Sequence, residues 1–275
     1  MTDRRPIVMG VVNVTPDSFS DGGMFADAGA AVAHGERLAA DGADVLDVGG
    51  ESTRPGASPV GEQEELRRVV PVVERLATQA GPRVSIDTTK VAVARAALQA
   101  GARIVNDVSA FRAAPEMAEL VAASGASCCL MHMLGEPRTM QERPRYGDVV
   151  SEVKAFLEER LAFAVAEGVP EQRIWLDPGI GFGKTVEHNL ELLRRLDEIV
   201  AIGRPVAVGT SRKSFIGQLT GRPEGERVAG TVATLVLAFE RGASVVRVHD
   251  VAEAVDALTV AAATVTPGWT TSSTA

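Results

Sequence analysis

Residues 245–250 read VVRVHD, and residues 251–258 read VAEAVDAL. The first piece is short and rich in Val, which suits a buried strand. The second reads as a helix. The strand carries Arg247 and His249 two residues apart, so both point to the same face. A buried cation is costly unless something satisfies it.

The same rhythm runs back through the chain. Seven more apolar runs precede this one: IVMGVVNV (7–14), DVLDVG (44–49), RVSIDT (83–88), RIVNDVS (103–109), SCCLMHM (127–133), IWLDPG (174–179) and VAVGTS (206–211). Helical segments lie between them, such as DAGAAVAHGERLAADG (27–42), VAVARAALQAG (91–101) and EHNLELLRRLDEIV (187–200). Gly42, Gly101, Gly125, Gly168 and Gly242 stand where helices are expected to stop. Strand alternating with helix means a parallel sheet. Near-continuous apolar strands mean that both faces are covered. Eight such units in one chain fit an α/β fold of the (β/α)8 TIM-barrel type, as a single domain. A doubly wound sheet is the competitor, but no GxGxxG fingerprint follows the first run. The barrel domain is expected over residues 1–267, with a disordered tail over 268–275.

Each run ends in a polar or ionisable group: Asn13, Asp47, Asp87, Asn106 with Asp107, His132, Asp177, Ser211, then Arg247 with His249. One polar strand end is commonly a turn or helix cap. Eight that converge on one rim point to an active site, because barrel chemistry sits at the C-terminal mouth. Arg247 and His249 are then expected to face the mouth, with an anion answering their charge.

Composition narrows the ligand. The 275 residues carry a net charge of −8, 45% hydrophobic and 4% aromatic residues. That excludes a global basic footprint and a base-stacking surface, so nucleic acid is not an expected partner. The longest apolar stretches, such as VATLVLAF, are too short to span a bilayer. The opening segment does not read as a signal peptide. Cys128 and Cys129 are adjacent, so on a strand they point to opposite faces and are expected as inert core thiols. A cytoplasmic location follows as the expectation.

At the mouth the cations are Arg54, Lys213, Arg247 and His249. Lys213 follows the seventh run in GTSRKSFIG (209–217), where SFIGQL reads as a short extra helix. That is the frequent phosphate site of this fold; a solvated helix start is the plainer reading of Arg212 and Lys213. The acidic set is Asp87 and Asp177, with Asn106 beside them. A carboxylate accepts two N–H groups from one amidine-like edge, and an amide both donates and accepts. Together they suit an amino-oxo pyrimidine ring, unless the two aspartates only cap helices or pair with Lys and Arg. His34 and His188 fall on helices and read as surface residues; His132 either lines the mouth or packs. Two long loops, NVTPDSFSDGGMF (13–25) and GGESTRPGASPVGE (49–62), read as lids. Asn13 beside Asp17 and Asp21 gives oxygen ligands near a polyanion, which suggests Mg2+.

These motifs in order resemble the dihydropteroate synthase family over residues 7–250: MGVVNVTPDSFSDGG (9–23), DVGGESTRPGA (47–57), SIDT (85–88), VNDVS (105–109), LMHMLGEPRTMQ (130–141), LDPGIGFGKT (176–185), GTSRKSFIG and RVHD. The resemblance implies a TIM barrel, a homodimer, and a transferase that joins 6-hydroxymethyl-7,8-dihydropterin diphosphate to p-aminobenzoate with Mg2+ assisting. It implies that Asp87, Asn106, Asp177 and Lys213 hold the pterin. Asn13, Thr53, Arg54, Arg247 and His249 would hold the diphosphate, with Asn13 also a Mg2+ ligand. Phe19, Pro55, Phe182, Lys213 and Ser214 would form the p-aminobenzoate pocket. Asp87, Lys213, Arg247 and His249 are the expected catalytic set. A pterin-binding methyltransferase relative or a non-catalytic pterin-binding paralogue are the alternatives; the lysine of SRKSFIG and the STRPG loop favour the synthase.

Overall fold

The computed structural model describes residues 5–14, 24–53, 56–79, 81–136 and 138–265. Among them, eight parallel strands alternate with helices. The strands are β1 (Ile7–Asn13), β2 (Val45–Gly49), β3 (Arg83–Asp87), β4 (Ile104–Asp107), β5 (Ser127–Met131), β6 (Ile174–Asp177), β7 (Ala207–Val208) and β8 (Val245–Val248). The helices are α1 (Met24–Ala40), α2 (Glu62–Ala77), α3 (Val91–Gln99), α4 (Glu116–Ser124), α5 (Val149–Ala166), α6 (Val186–Arg194), α7 (Leu196–Val200), α8 (Ser214–Thr220), α9 (Val228–Glu240) and α10 (Val251–Val265).

The sheet runs β6-β5-β4-β3-β2-β1-β8-β7. A parallel bridge between Leu176 and Val206, with Leu176 N–H donating to Pro205 O at 2.9 Å, joins its two ends into a barrel. The expected (β/α)8 architecture is therefore what forms. None of the described helices is long and apolar enough to cross a membrane.

Strand alternation sorts the side chains. One parity faces the helices and builds the main core, with Val8, Val12, Leu46, Val48, Ile86, Val105, Leu130, Leu176 and Val248 all buried. Each such side chain contributes roughly 1.5–3 kcal/mol. The other parity points into the barrel. Its lower layer is apolar and plugs the bore: Met9, Val45, Ile104, Cys129, Trp175, Ala207 and Val245. Cys128 lies in the outer core and Cys129 in this plug, so the adjacent thiols are free, buried and on opposite faces. Above the plug the inward positions turn polar, and that change places the site.

The expected glycine stops hold: Gly42, Gly101, Gly125, Gly168 and Gly242 all have positive φ. Two details depart from the sequence reading. The segment 187–200 is two helices, because Arg195 leaves helical geometry at φ −110° and ψ 30°. Its guanidinium is tied to Glu198 at 2.7 Å and to Asp148, the cap of α5, at 3.1 Å. The seventh strand is reduced to Ala207–Val208, since Pro205 at its entry has no N–H to give the ladder.

Candidate active site

The polar layer opens into a cavity of about 640 Å³ at the C-terminal ends of the strands. Asn13 enters from the end of β1, Thr53 from the loop after β2, Asp87 from β3, Asn106 from β4 and Asp177 from β6. Phe182 lines it from the loop after β6, Lys213 and Ser214 from the end of β7 onward, and Arg247 and His249 from β8 and its exit. The structure thus brings these residues into one cavity. Phe19, Arg54 and Pro55 lie outside the described residues, as do Asp17, Asp21 and the tail from 268.

Arg247 faces the mouth, and within the protein it also meets two carboxylates. Its Nε donates to Asp47 Oδ2 at 2.7 Å and its Nη2 to Asp87 Oδ2 at 2.8 Å. Asn106 Nδ2 donates to the same Asp47 oxygen at 3.0 Å. The physical reason lies in the register. Asp47 is not at the rim but mid-strand on the inward parity, fully buried beneath the mouth. Met9 of β1 pairs with both Val45 and Arg247, so β8 and β2 flank β1. The long guanidinium crosses that one strand to reach β2 and β3. Asp250, the carboxylate nearest in sequence, pairs instead with Arg212, whose Nε lies 3.0 Å away.

His249 is oriented by Ser211. The Ser211 hydroxyl oxygen accepts from the His249 backbone N–H at 3.1 Å and lies 3.0 Å from Nδ1 of the ring. Lys213 donates to Ile180 O and sits 4.5 Å from the centre of the Phe182 ring. Arg212 adopts φ 57°, uncommon for a non-glycine residue. Its N–H donates to Thr231 Oγ1 at 3.1 Å. These ties hold the turn that aims Lys213 inward.

Burial governs the ionisation of the site. Burial pushes the Asp87 carboxyl up to about 7, reinforced by Asp47, Glu65 and Asp107 and opposed by Arg247. Asp177 is raised by burial against the pull of Lys213 and of the Gly179 N–H, which donates to it at 2.7 Å. Burial brings Lys213 down to about 8, against Asp177. Such displaced groups in one cleft mark a functional site.

Sequence reasoning missed several members. Asp47 stands among the run ends in the sequence but lies beneath the cavity, and its inward parity with Val45 is legible in DVLDVG. Glu51, Met131, Met140 and Arg227 also line the cavity. His132 proves to be packed: it is buried, with Nδ1 2.9 Å from the Lys184 amine and its ring edge-on to Phe156. His188 is half-buried and closes the capping box of α6 with Thr185. His34 is half-buried on α1.

A (β/α)8 barrel with one polar, part-buried mouth is the build of an enzyme acting on a small polar substrate. A family model described as "Pterin binding enzyme" matches residues 9–249, which places the barrel among the pterin-binding enzymes. The dihydropteroate synthase of Escherichia coli (strain K12) is 47% identical over 260 residues, 94% of this chain and 92% of the relative. The structure of the Xanthomonas albilineans dihydropteroate synthase with 4-aminobenzoic acid matches with a TM-score of 0.88 at 53% identity, covering 94% of this chain and 93% of that one. The enzyme of the same organism in complex with 7,8-dihydropteroate matches with a TM-score of 0.85 at 50% identity, covering 94% of each chain. The chain belongs to the dihydropteroate synthase family, transferases of folate biosynthesis.

Proposed function

We propose that the barrel mouth binds 6-hydroxymethyl-7,8-dihydropterin diphosphate below and p-aminobenzoate above, and joins them with release of diphosphate. The observation that carries this reading is the single cavity in which Asp87, Asn106, Asp177 and Lys213 stand with Asn13, Thr53 and His249. The acidic and amide groups suit the amino-oxo pyrimidine edge of the pterin. Asn13, Thr53, Arg54, Arg247 and His249 would take the diphosphate. Phe19, Pro55, Phe182, Lys213 and Ser214 would frame the aryl amine.

The chemistry follows from the substrate. The C–O bond between the pterin CH2 and the diphosphate breaks, and both electrons leave with the diphosphate. The positive charge on CH2 delocalises into the electron-rich dihydropterin. The aniline nitrogen then attacks that carbon and sheds its proton to solvent or to the leaving anion. An aniline is a weak base, so no strong general base is required. Donors fixed at the rim stabilise the departing charge. Buried Asp177 and Asp87 lie where the cation develops.

Mg2+ belongs to this reading. Among the described residues no cluster of three or more His, Cys, Asp or Glu side chains could hold a metal by itself. A Mg2+ carried by a diphosphate keeps several waters and leans on phosphate oxygens, so it asks little of the protein. The Asn13 amide oxygen at the rim fits that need. The ion would neutralise charge on the leaving group.

A homodimer is the proposed assembly. The outer face of α9 exposes Ala229, Ala233 and Leu237 at intervals of four, an apolar stripe that a second copy would cover. Sedimentation should give twice 28.8 kDa; a monomer would reject it. A cytoplasmic location accompanies the reading and agrees with two free thiols.

The test is direct. Mixed with the pterin diphosphate, p-aminobenzoate and Mg2+, the protein should yield dihydropteroate and diphosphate in equal amounts. Binding of the pterin without product would indicate a non-catalytic paralogue. Methyl transfer from a methylated folate would indicate the alternative enzyme class.

A further inference from the structure

Four consecutive carbonyls in the loop after β6 are each held by a different side chain. Ile180 O accepts from Lys213 Nζ. Gly181 O accepts from Gln141 Nε2 at 2.6 Å, Phe182 O from Lys184 Nζ at 3.0 Å, and Gly183 O from the Tyr146 hydroxyl at 2.9 Å. The Gly181 N–H donates to Asn189 Oδ1 at 2.7 Å. Loop carbonyls ordinarily bond water, and each long side chain that replaces water loses rotamer freedom. Four in succession constitute a built frame.

The backbone is pressed into that frame. Gly179 and Gly183 have φ of 64° and 62°. A Cβ at Gly179 would fall 1.9 Å from His132 O, and one at Gly183 would fall 2.8 Å from Leu134 O. The loop therefore lies directly against the segment that follows β5.

Lys184 is the unusual member, with 3% of its surface exposed. A buried amine is costly unless its donors are used. Here the amine lies 2.9 Å from Nδ1 of His132, itself buried, and bonds Phe182 O on its other side. Burial lowers both groups, Lys184 well below a free lysine and His132 to about 2, so the imidazole is neutral. Behind it, the His132 ring meets Phe156 edge-on at 4.9 Å. What the frame presents to the cavity is the Phe182 ring. That ring packs against Val108, Met131, Met133 and Met140 and faces Lys213.

We propose that Lys184, backed by His132 and flanked by Tyr146 and Gln141, is a positioning residue that fixes Phe182 as the wall of the aryl-amine subsite. This rests on the functional reading above. Lys184 touches no substrate; it acts through the backbone of Phe182. Loosening it affects the second substrate and spares the pterin, which binds deeper among Asp87, Asn106 and Asp177.

Two variants test it, Lys184→Met and Tyr146→Phe. Each removes one donor to the loop and keeps most of the side-chain volume. Lys184→Met should raise KM for p-aminobenzoate about tenfold, the effect of losing one buried hydrogen bond, with KM for the pterin diphosphate within about twofold. Tyr146→Phe should shift the same constant in the same direction by less. Amide exchange of the unliganded variants should speed up across 179–185 and stay unchanged in β1 and β2. If Lys184→Met does not fold, Tyr146→Phe carries the same split. Equal rises in both KM values, a fall in kcat alone, or unchanged exchange in 179–185 would overturn the proposal. Wild-type protein that makes no dihydropteroate would instead overturn the functional reading.

Discussion

Arg247 shows how one side chain organises the mouth. It balances two carboxylates from strands 200 and 160 residues away in sequence. Asp47 is fully buried, and its second oxygen, Oδ1, has no hydrogen-bond partner. Removing the guanidinium would leave two buried carboxylates facing each other. Arg247→Ala is therefore expected to destabilise the fold by roughly 3 kcal/mol, in line with breaking a buried pair. Thermal unfolding checks this. The double variant with Asp47→Asn should recover part of the loss, and a melting temperature at the wild-type value would refute the pairing. Asp87 gives a pH signature. Its carboxyl is raised from 3.8 to about 7, chiefly by burial. The folded protein thus holds that proton more tightly than the unfolded chain does. The stabilisation is complete below about pH 4 and is lost as pH rises to about 7. Denaturation midpoints of wild type and Asp87→Asn should diverge across that window, with wild type losing stability relative to the variant. Parallel curves would show that Asp87 is ionised throughout. Neither pairing was legible in the sequence. RVHD shows that Arg247 points inward, but only barrel closure tells which carboxylates it meets.

The loop after β2 has an anchor of its own at the level of elements. Lys90, at the entry to α3, bonds both Glu51 at the loop's base and Glu65 on α2, the latter at 2.5 Å. Glu65 is fully buried and also accepts from Thr88 Oγ1 at 2.7 Å. Glu51 accepts from the Val60 N–H at 3.2 Å, which ties the far end of the same loop. One ammonium thus links β2, α2 and α3 beneath the segment that carries Thr53. Lys90→Met should cost about 3 kcal/mol, because Glu65 would remain buried with a single hydroxyl partner. Adding Glu65→Gln should restore most of it. A single-variant loss no larger than that of the double variant would show that the network is incidental. The elements themselves were readable, since Val-rich runs, intervening helices and glycine stops are local signals. The polar frames between elements were not. Lys184 in GFGKT and Lys90 in DTTK look like ordinary solvated lysines until neighbouring helices and loops cover them. The long loop of residues 132–148 also gives no sign in its sequence that Gln141 and Tyr146 reach the loop after β6.

The molecule as a whole has a seam. β1 and β2 pair in register from Met9 to Asn13, whereas β6 and β7 meet through the single bridge at Leu176 and Val206. A barrel closed so lightly on one side opens there most readily, because local opening follows the weakest hydrogen-bonded boundary. The proposed pterin groups straddle this seam: Asp177 ends β6, and Lys213 lies just beyond β7. A ligand that touches both would staple the two strands in addition to stabilising the whole fold by mass action, about 2.7 kcal/mol at a hundredfold excess over Kd. A bare pterin ligand should therefore slow amide exchange at Leu176, Ala207 and Val208 by a larger factor than at Met9 to Asn13. Mass action alone predicts the same factor for every amide that exchanges by global unfolding. Hydrogen exchange with and without the ligand separates the two outcomes. Equal slowing at the seam and at β1 would mean that the ligand does not bridge β6 and β7, and would count against placing the pterin between Asp177 and Lys213.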